Sequence, residues 1–187
     1  FSLLIGFFIS LLGMSLTKPL IWFNRAYIEV FRSIPLLVLL LWVYYGLPIV
    51  FGISFGPFIA GIISLALSDS AFEAEIFRAG LQSIAIGQRD AAKSLGLNKY
   101  QEMRFIILPQ ALRIILPAIG NQFVYVLKMS SLVSIIGLAD LTRKANELVV
   151  STYRPLEIYT FLILEYLVLI LIVSFFVRKL EKRLKKD

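Results

Sequence analysis

The chain has no cysteine and no histidine among its 187 residues. The first absence excludes a disulfide framework and any thiol site. The second removes the side chain most often used as a catalytic base and metal ligand near neutral pH. No glycine is followed by lysine, so there is no G-x-x-x-x-G-K-[ST] loop to cradle nucleotide phosphates, and any use of ATP requires a separate subunit. Charge is also scarce, at 17% of residues against 59% hydrophobic, and the mean hydropathy is +0.85. A soluble domain of this size has too little interior to hide so much apolar surface.

What is abundant is long apolar runs, and about twenty such residues cover the hydrocarbon core of a bilayer. Five runs are read as transmembrane helices: Phe1–Leu16, Pro35–Phe51, Pro57–Phe77, Ile114–Ile136 and Glu157–Val177. The first is short and lacks an initiator Met, so it is expected to be clipped at its start. It has no basic leader region and no A-x-A-like cleavage site, so it is not read as a signal peptide. The whole chain, 1–187, is expected to form a single transmembrane domain.

The net charge of +7 is distributed by topology. Lys18, Arg25 and Arg32 occupy segment 17–34; Arg78, Arg89, Lys93, Lys99, Arg104 and Arg113 occupy segment 78–113; Arg178, Lys179, Lys182, Arg183, Lys185 and Lys186 form the tail. These fifteen lie on one side of the five-span arrangement, against Arg143, Lys144 and Arg154 on the other and Lys128 inside a span. The positive-inside rule then places the N-terminus outside, and segment 78–113 and the C-terminus in the cytoplasm. The tail can also meet anionic lipid. No nucleic-acid partner is expected.

The cytoplasmic segment contains "GQRDAAKSLGLNKYQEMRFIILP", residues 87–109. Local chemistry predicts two short helices. Gly87 is read as an N-cap with Asp90 in the first turn, where a carboxylate complements the helix dipole. Gly96 supplies a left-handed C-terminal residue. Asn98 and Gln101 form a capping box that starts the second helix, which Pro109 is expected to stop. Ala91 and Ala92 give the first helix a low profile that another protein can approach. Taken alone, the same features also suit an amphipathic hairpin on the lipid headgroups.

The spacing Asp90-Ala91-Ala92, Gly96, Ile106, Leu108-Pro109 resembles the "EAA" motif of ABC importer permeases, E-A-A-x3-G-x9-I-x-L-P, with Asp90 in place of Glu. "YIEVFRSIPLLV", "AEIFRAGLQSI", "LPQALRIILPAIGNQF", "LKMSSLVSIIGLADLT" and "YRPLEIY" are similar to the branch that handles polar amino acids of the histidine, arginine and glutamine type. The likeness extends from about residue 25 to the tail. It departs from the branch at Met129, where an acidic or polar residue often follows the lysine, at Ser68-Asp69-Ser70, in place of Asn-Ser-Gly, and at Glu73, in place of an apolar residue. The resemblance implies an all-α integral membrane protein of the type I ABC importer permease fold, five transmembrane helices plus a cytoplasmic coupling helix. It implies that Asp90, Ala91, Ala92, Gly96 and Leu97 engage a cytoplasmic ABC ATPase subunit, which holds ATP and Mg2+, whereas this chain holds no cofactor. It further implies a second permease copy (the same chain or a paralogue), an extracytoplasmic substrate-binding protein that lands on the polar loop 137–156, and the plasma membrane of a prokaryote.

Ionisable residues inside spans are costly and mark functional positions. Asp69 and Glu73 share a helical face, whereas Glu75 points elsewhere and suits a pairing with Arg78 or Arg32. Two stacked carboxylates suit a cationic substrate, and a guanidinium can be held bidentately. Asp69, Ser70 and Glu73 are therefore candidates for the substrate pathway. Two other arrangements satisfy the same spacing: Asp69 paired with Lys128, or Glu73 solvated near the cytoplasmic headgroups. Asn121, Tyr125 and Lys128 share a face of the fourth span; with Ser130 they are candidates to meet a substrate carboxylate, or Lys128 instead pairs with Asp69 or Glu165 to fix packing.

The function these features imply is ATP-driven uptake of polar, chiefly basic, amino acids by alternating access, with no catalysis in this chain. The rival is an ion-coupled secondary transporter or cation channel that uses Asp69, Glu73 and Glu165 as a relay. A membrane enzyme acting on lipid has little to work with, since histidine and cysteine are absent.

Overall fold

A computed structural model of the chain describes residues 1–184; Lys185 and Lys186 of the basic tail lie outside the described residues. All regular structure among the described residues is helical. Helix α1 (Ser2–Gly13) is followed by α2 (Lys18–Ser33), and α3 (Leu36–Leu41) runs through a π-helical turn, Trp42–Gly46, into α4 (Leu47–Phe51). Helix α5 (Pro57–Gln82) precedes the short α6 (Ile86–Ser94). One turn, α7 (Lys99–Gln101), then passes through a second π-helical turn, Glu102–Ile107, into α8 (Leu108–Met129) and a 3-10 turn, Ser130–Ile136. Helices α9 (Leu141–Thr152) and α10 (Pro155–Leu184) complete the chain.

Among the described residues, three continuous helical stretches are long and apolar enough to cross a membrane: Pro57–Gln82, Lys99–Ile136 and Pro155–Leu184. Lys18–Ser33 and Leu36–Phe51 pass the same test only as a pair, bent by 97°, and Ser2–Gly13 is a shorter apolar helix. The bend follows from sequence, because Pro35 forces Ile34 out of the helical region, to φ −83 and ψ 122. Segment 17–34, between the first two apolar runs, is thus occupied by the helix α2. It is amphipathic and buries Asn24 and Ile28.

Pro109 does not stop its helix. Both π-helical turns end just before a proline, Pro48 and Pro109. A proline ring collides with the carbonyl four residues back in a regular helix, and a widened turn at that place lets the helix continue. The Gln110 side chain donates to the Ile106 carbonyl at 2.9 Å in the same region. Helix α5 runs past Phe77 to Gln82, with Glu75 and Arg78 paired along its surface at 2.8 Å.

Helix α5 is the hub, packed by α1, α2, α3 and α8. Its contact faces are made of small residues: Ala60, Ser64, Ser70, Ala71 and Ala74 are all fully hidden. Small side chains let backbones approach closely inside a membrane, where lipid gives no hydrophobic push between helices. Gly80 shows the limit, since a Cβ there would lie 2.2 Å from Cγ1 of Ile115 on α8. Buried polar bonds add to this packing. Asn24 donates to the Ile9 carbonyl at 2.6 Å, and the Tyr27 and Ser70 hydroxyls lie 2.8 Å apart. Helix α10 packs on α8 and α9 and buries none of its residues, so its Phe and Leu side chains face outward.

Candidate functional site

Asp69 and Glu73 project from α5 into the protein, only 6% and 4% exposed. Glu73 turns toward α1, where Oε1 accepts a hydrogen bond from Ser2 Oγ at 3.2 Å. Its Oε2 is buried with no hydrogen-bond partner, and the Asp69 carboxyl one turn away acts on it electrostatically. Asp69 turns the other way, toward α8, and Oδ1 accepts from Nε2 of Gln122. No lysine or arginine pairs with either acid among the described residues. Neither the Lys128 pairing for Asp69 nor the solvated setting for Glu73 is present. Glu75 does pair with Arg78, through two bonds of 2.8 and 2.9 Å.

The other candidates lie in different surroundings. Ser70 is sealed: its hydroxyl donates to the Leu67 carbonyl at 2.9 Å and meets Tyr27. Asn121, Tyr125 and Lys128 share an exposed face of α8. Lys128 borders a recess of about 380 Å3 between α8 and α10, with Ser131 and Tyr166, and makes no ion pair among the described residues. Ser130 donates to the Leu127 carbonyl at 2.7 Å. Glu165 is exposed on α10 beside Lys144.

The hairpin of α6 and α7 is built by its caps. Helix α6 starts at Ile86 with Ala85 as N-cap, so Gly87 is already inside it and Asp90 falls beyond the first turn, where it pairs with Lys93 at 3.6 Å. The difference arises because Ala85 takes the extended backbone (φ −55, ψ 138) that an N-cap needs, although it has no capping side chain. The C-terminal reading holds. Gly96 has φ +74, its N–H donates to Lys93, and the Leu97 N–H donates to Ala92 at 3.1 Å, which is the Schellman arrangement. The Asn98–Gln101 capping box is also present, with both bonds at 3.0 Å.

Ala92 is buried, seating α6 on the rest of the chain, while Asp90, Ala91, Ser94 and Gly96 face outward. Ile86, Leu95 and Tyr100 leave large apolar side chains exposed, at 75%, 77% and 70%.

Similarity to known proteins agrees with this geometry. Residues 2–186 match the family described as binding-protein-dependent transport system inner membrane component. The chain belongs to that family. It is 41% identical over 186 residues to the probable glutamine ABC transporter permease protein GlnM of Bacillus subtilis (strain 168), covering 100% of this chain and 86% of that protein. It is 38% identical to the arginine transport system permease protein ArtQ of the same organism, covering 100% and 85%. Among solved structures, the crystal structure of an amino acid ABC transporter with histidines superposes with a TM-score of 0.92 at 46% identity, covering 97% of this chain and 85% of that one. The inward-facing MetNI methionine ABC transporter, at 23% identity and a TM-score of 0.76, shares the fold.

The permease is therefore an inner-membrane, multi-pass subunit of a binding-protein-dependent ABC importer, and its ATPase is a separate subunit. Sequence reasoning passed over two groups in it. Gln122 lies one position from the exposed Asn121 and faces a different way, toward α5. Counting from the buried Ile115, the positions 115, 119, 122 and 126 form the stripe that faces α5. Glu102 is buried in the second π-helical turn and borders a recess of about 300 Å3 with Arg89, Lys93 and Lys99. Gly52–Gly56 matches G-x-S-x-G in letters only, since it joins two helices and the chain has no histidine.

Proposed function

We propose that the permease takes up polar amino acids, cationic ones by preference, by alternating access. The observation that carries this is the pair Asp69 and Glu73: two buried acids one turn apart, with a bare Oε2 on Glu73 and no lysine or arginine partner among the described residues. Two buried acids one turn apart are satisfied by a proton shared between them or by a cation that replaces it. A guanidinium or ammonium supplies one, which suits the arginine named for one relative.

In this reading the N-terminal side faces outward and the hairpin inward. Two copies of the permease enclose the path, with the polar face of α8 at Asn121 and Lys128 turned toward it. An extracytoplasmic binding protein delivers substrate onto α9, and two ATPase subunits, holding ATP and Mg2+, dock on Asp90, Ala91, Gly96 and Leu97. A neutral substrate is the second reading, favoured by the name of the relative at 41% identity, a probable glutamine permease.

The test is ATP hydrolysis by the reconstituted complex with arginine or glutamine, for wild type and for Asp69→Asn/Glu73→Gln. Arginine stimulation that the double variant loses supports the cationic reading. Stimulation by glutamine alone, kept by the double variant, overturns it.

A further inference from the structure

The space beside Asp69 is closed in this conformation. The void beside it, walled by Phe72, Tyr125, Val126 and Met129 among others, measures about 10 Å3, room for one water at most. A carboxylate closed in this way requires a donor, because an unpaired buried charge is heavily penalised. Gln122 meets that requirement from α8, 53 residues along the chain. Among the described residues this is the one side-chain hydrogen bond that joins α5 to α8.

We propose that Gln122 is a place-holder for the substrate's cation and a latch between α5 and α8: it occupies Asp69 while the site is empty and is displaced when an ammonium or guanidinium enters. The proposal rests on the reading of Asp69 as the acid that receives the substrate. A carboxamide carries a donor and an acceptor on one planar group. Its terminal torsion is broad, so a half-turn exchanges the two with no movement of the backbone. A cation is a stronger partner for Asp69 than a neutral amide, because the hydrogen bond is then charge-assisted on both sides. The displaced amide turns Oε1 toward the same cation, and the site gains a second acceptor as the latch opens.

Position makes the release consequential. With the latch open, the packing that remains between the two helices includes the apolar cluster of Leu81, Ala111 and Ile115. That cluster lies at the end of α8 nearest the cytoplasmic hairpin. Pro117 sits between it and Gln122 and removes one bond from the helix ladder, so α8 has a place to bend. The cytoplasmic end of α8 continues through the π-helical turn into the hairpin. Occupancy of Asp69 is thereby linked to the segment that the ATPase grips.

The test uses the permease assembled with its ATPase in lipid nanodiscs, as wild type, Gln122→Met and Gln122→Leu. Both variants remove the donor; methionine keeps the length of the side chain and leucine shortens it. Two quantities are read: ATP hydrolysis without amino acid, and the arginine concentration that gives half-maximal stimulation. Both variants are expected to hydrolyse ATP about fivefold faster than wild type without amino acid, and to respond at lower arginine, because nothing competes for Asp69. Unchanged unstimulated rates overturn the proposal. So does a raised arginine requirement at an unchanged unstimulated rate, the pattern of a residue that only orients Asp69. If Gln122→Met fails to co-elute with the ATPase, Gln122→Leu alone decides. If glutamine and not arginine stimulates wild type, the cationic preference fails, and the latch is still judged on the amino-acid-free rates.

Discussion

Gly6 on α1 sits directly over Glu73 on α5: a Cβ at position 6 would lie 2.8 Å from Glu73 Cβ and 2.9 Å from the Ser70 carbonyl oxygen. Neither obstacle is the far end of a flexible side chain, so neither yields cheaply. Gly6→Val is expected to cost about 1–3 kcal/mol through overpacking, seen as a lower thermal midpoint in detergent. Gly87→Val, at a position with nothing within 4 Å, is the control. Equal midpoints for the two variants would mean that α1 and α5 do not meet in this register.

Gly96 is open around its Cα but has φ +74. Gly96→Ala therefore meets only backbone strain, about 1–2 kcal/mol. Gly96→Pro is far worse, because proline fixes φ near −65° and removes the N–H that bonds to Lys93 at 2.9 Å. The expected order for substrate-stimulated ATP hydrolysis is wild type, then alanine, then proline, with proline abolishing the response. Equal activity for alanine and proline would remove the hairpin's C-terminal turn from the coupling surface.

The capping box at Asn98 anchors a helix that begins with a single regular turn. Asn98→Ala removes the acceptor for the Gln101 N–H and is expected to cost about 1 kcal/mol. Hydrogen exchange should accelerate at residues 99–102 and stay unchanged in α10. Uniform acceleration across the chain would show instead a general loss of stability.

Glu147 on α9 accepts from Lys144 at 2.8 Å and Arg143 at 3.2 Å. The Lys144 bond foremost, then the Arg143 bond, hold its carboxyl below the usual glutamate range. A depressed folded-state value means that the contribution is present above the unfolded value, about 4.3, and fades as pH falls through the folded one. Exchange protection in α9 should therefore be flat from neutral pH to about pH 5 and decline only below that. The decline is small, because the group is fully exposed. Fraying between neutral pH and pH 6 would contradict this assignment.

The helical, membrane-embedded character was legible because apolar run length answers to bilayer thickness alone. The hairpin's C-terminal turn and capping box were legible because each depends on neighbours within a few residues: Gly96 needs its φ, and Asn98 needs Gln101. The helix starts and stops read less well. Ala85 caps α6 by backbone conformation without a capping side chain, and Pro109 is absorbed by a π-helical turn that a proline rule does not foresee.

Sequence by itself determined the apolar runs, the charge asymmetry and the presence of two acids one turn apart on α5, since all of these are functions of spacing along one chain. Tertiary structure alone decided where those acids go. Asp69 meets Gln122, 53 residues away, and Glu73 meets Ser2, 71 residues away. The two acids share a helical face but turn to opposite neighbours, α8 and α1, because the approach of α1 at Gly6 leaves Glu73 under one helix and Asp69 under the other. Helical periodicity specifies which way a side chain leaves its own helix; the crossing of separate helices specifies what it finds there.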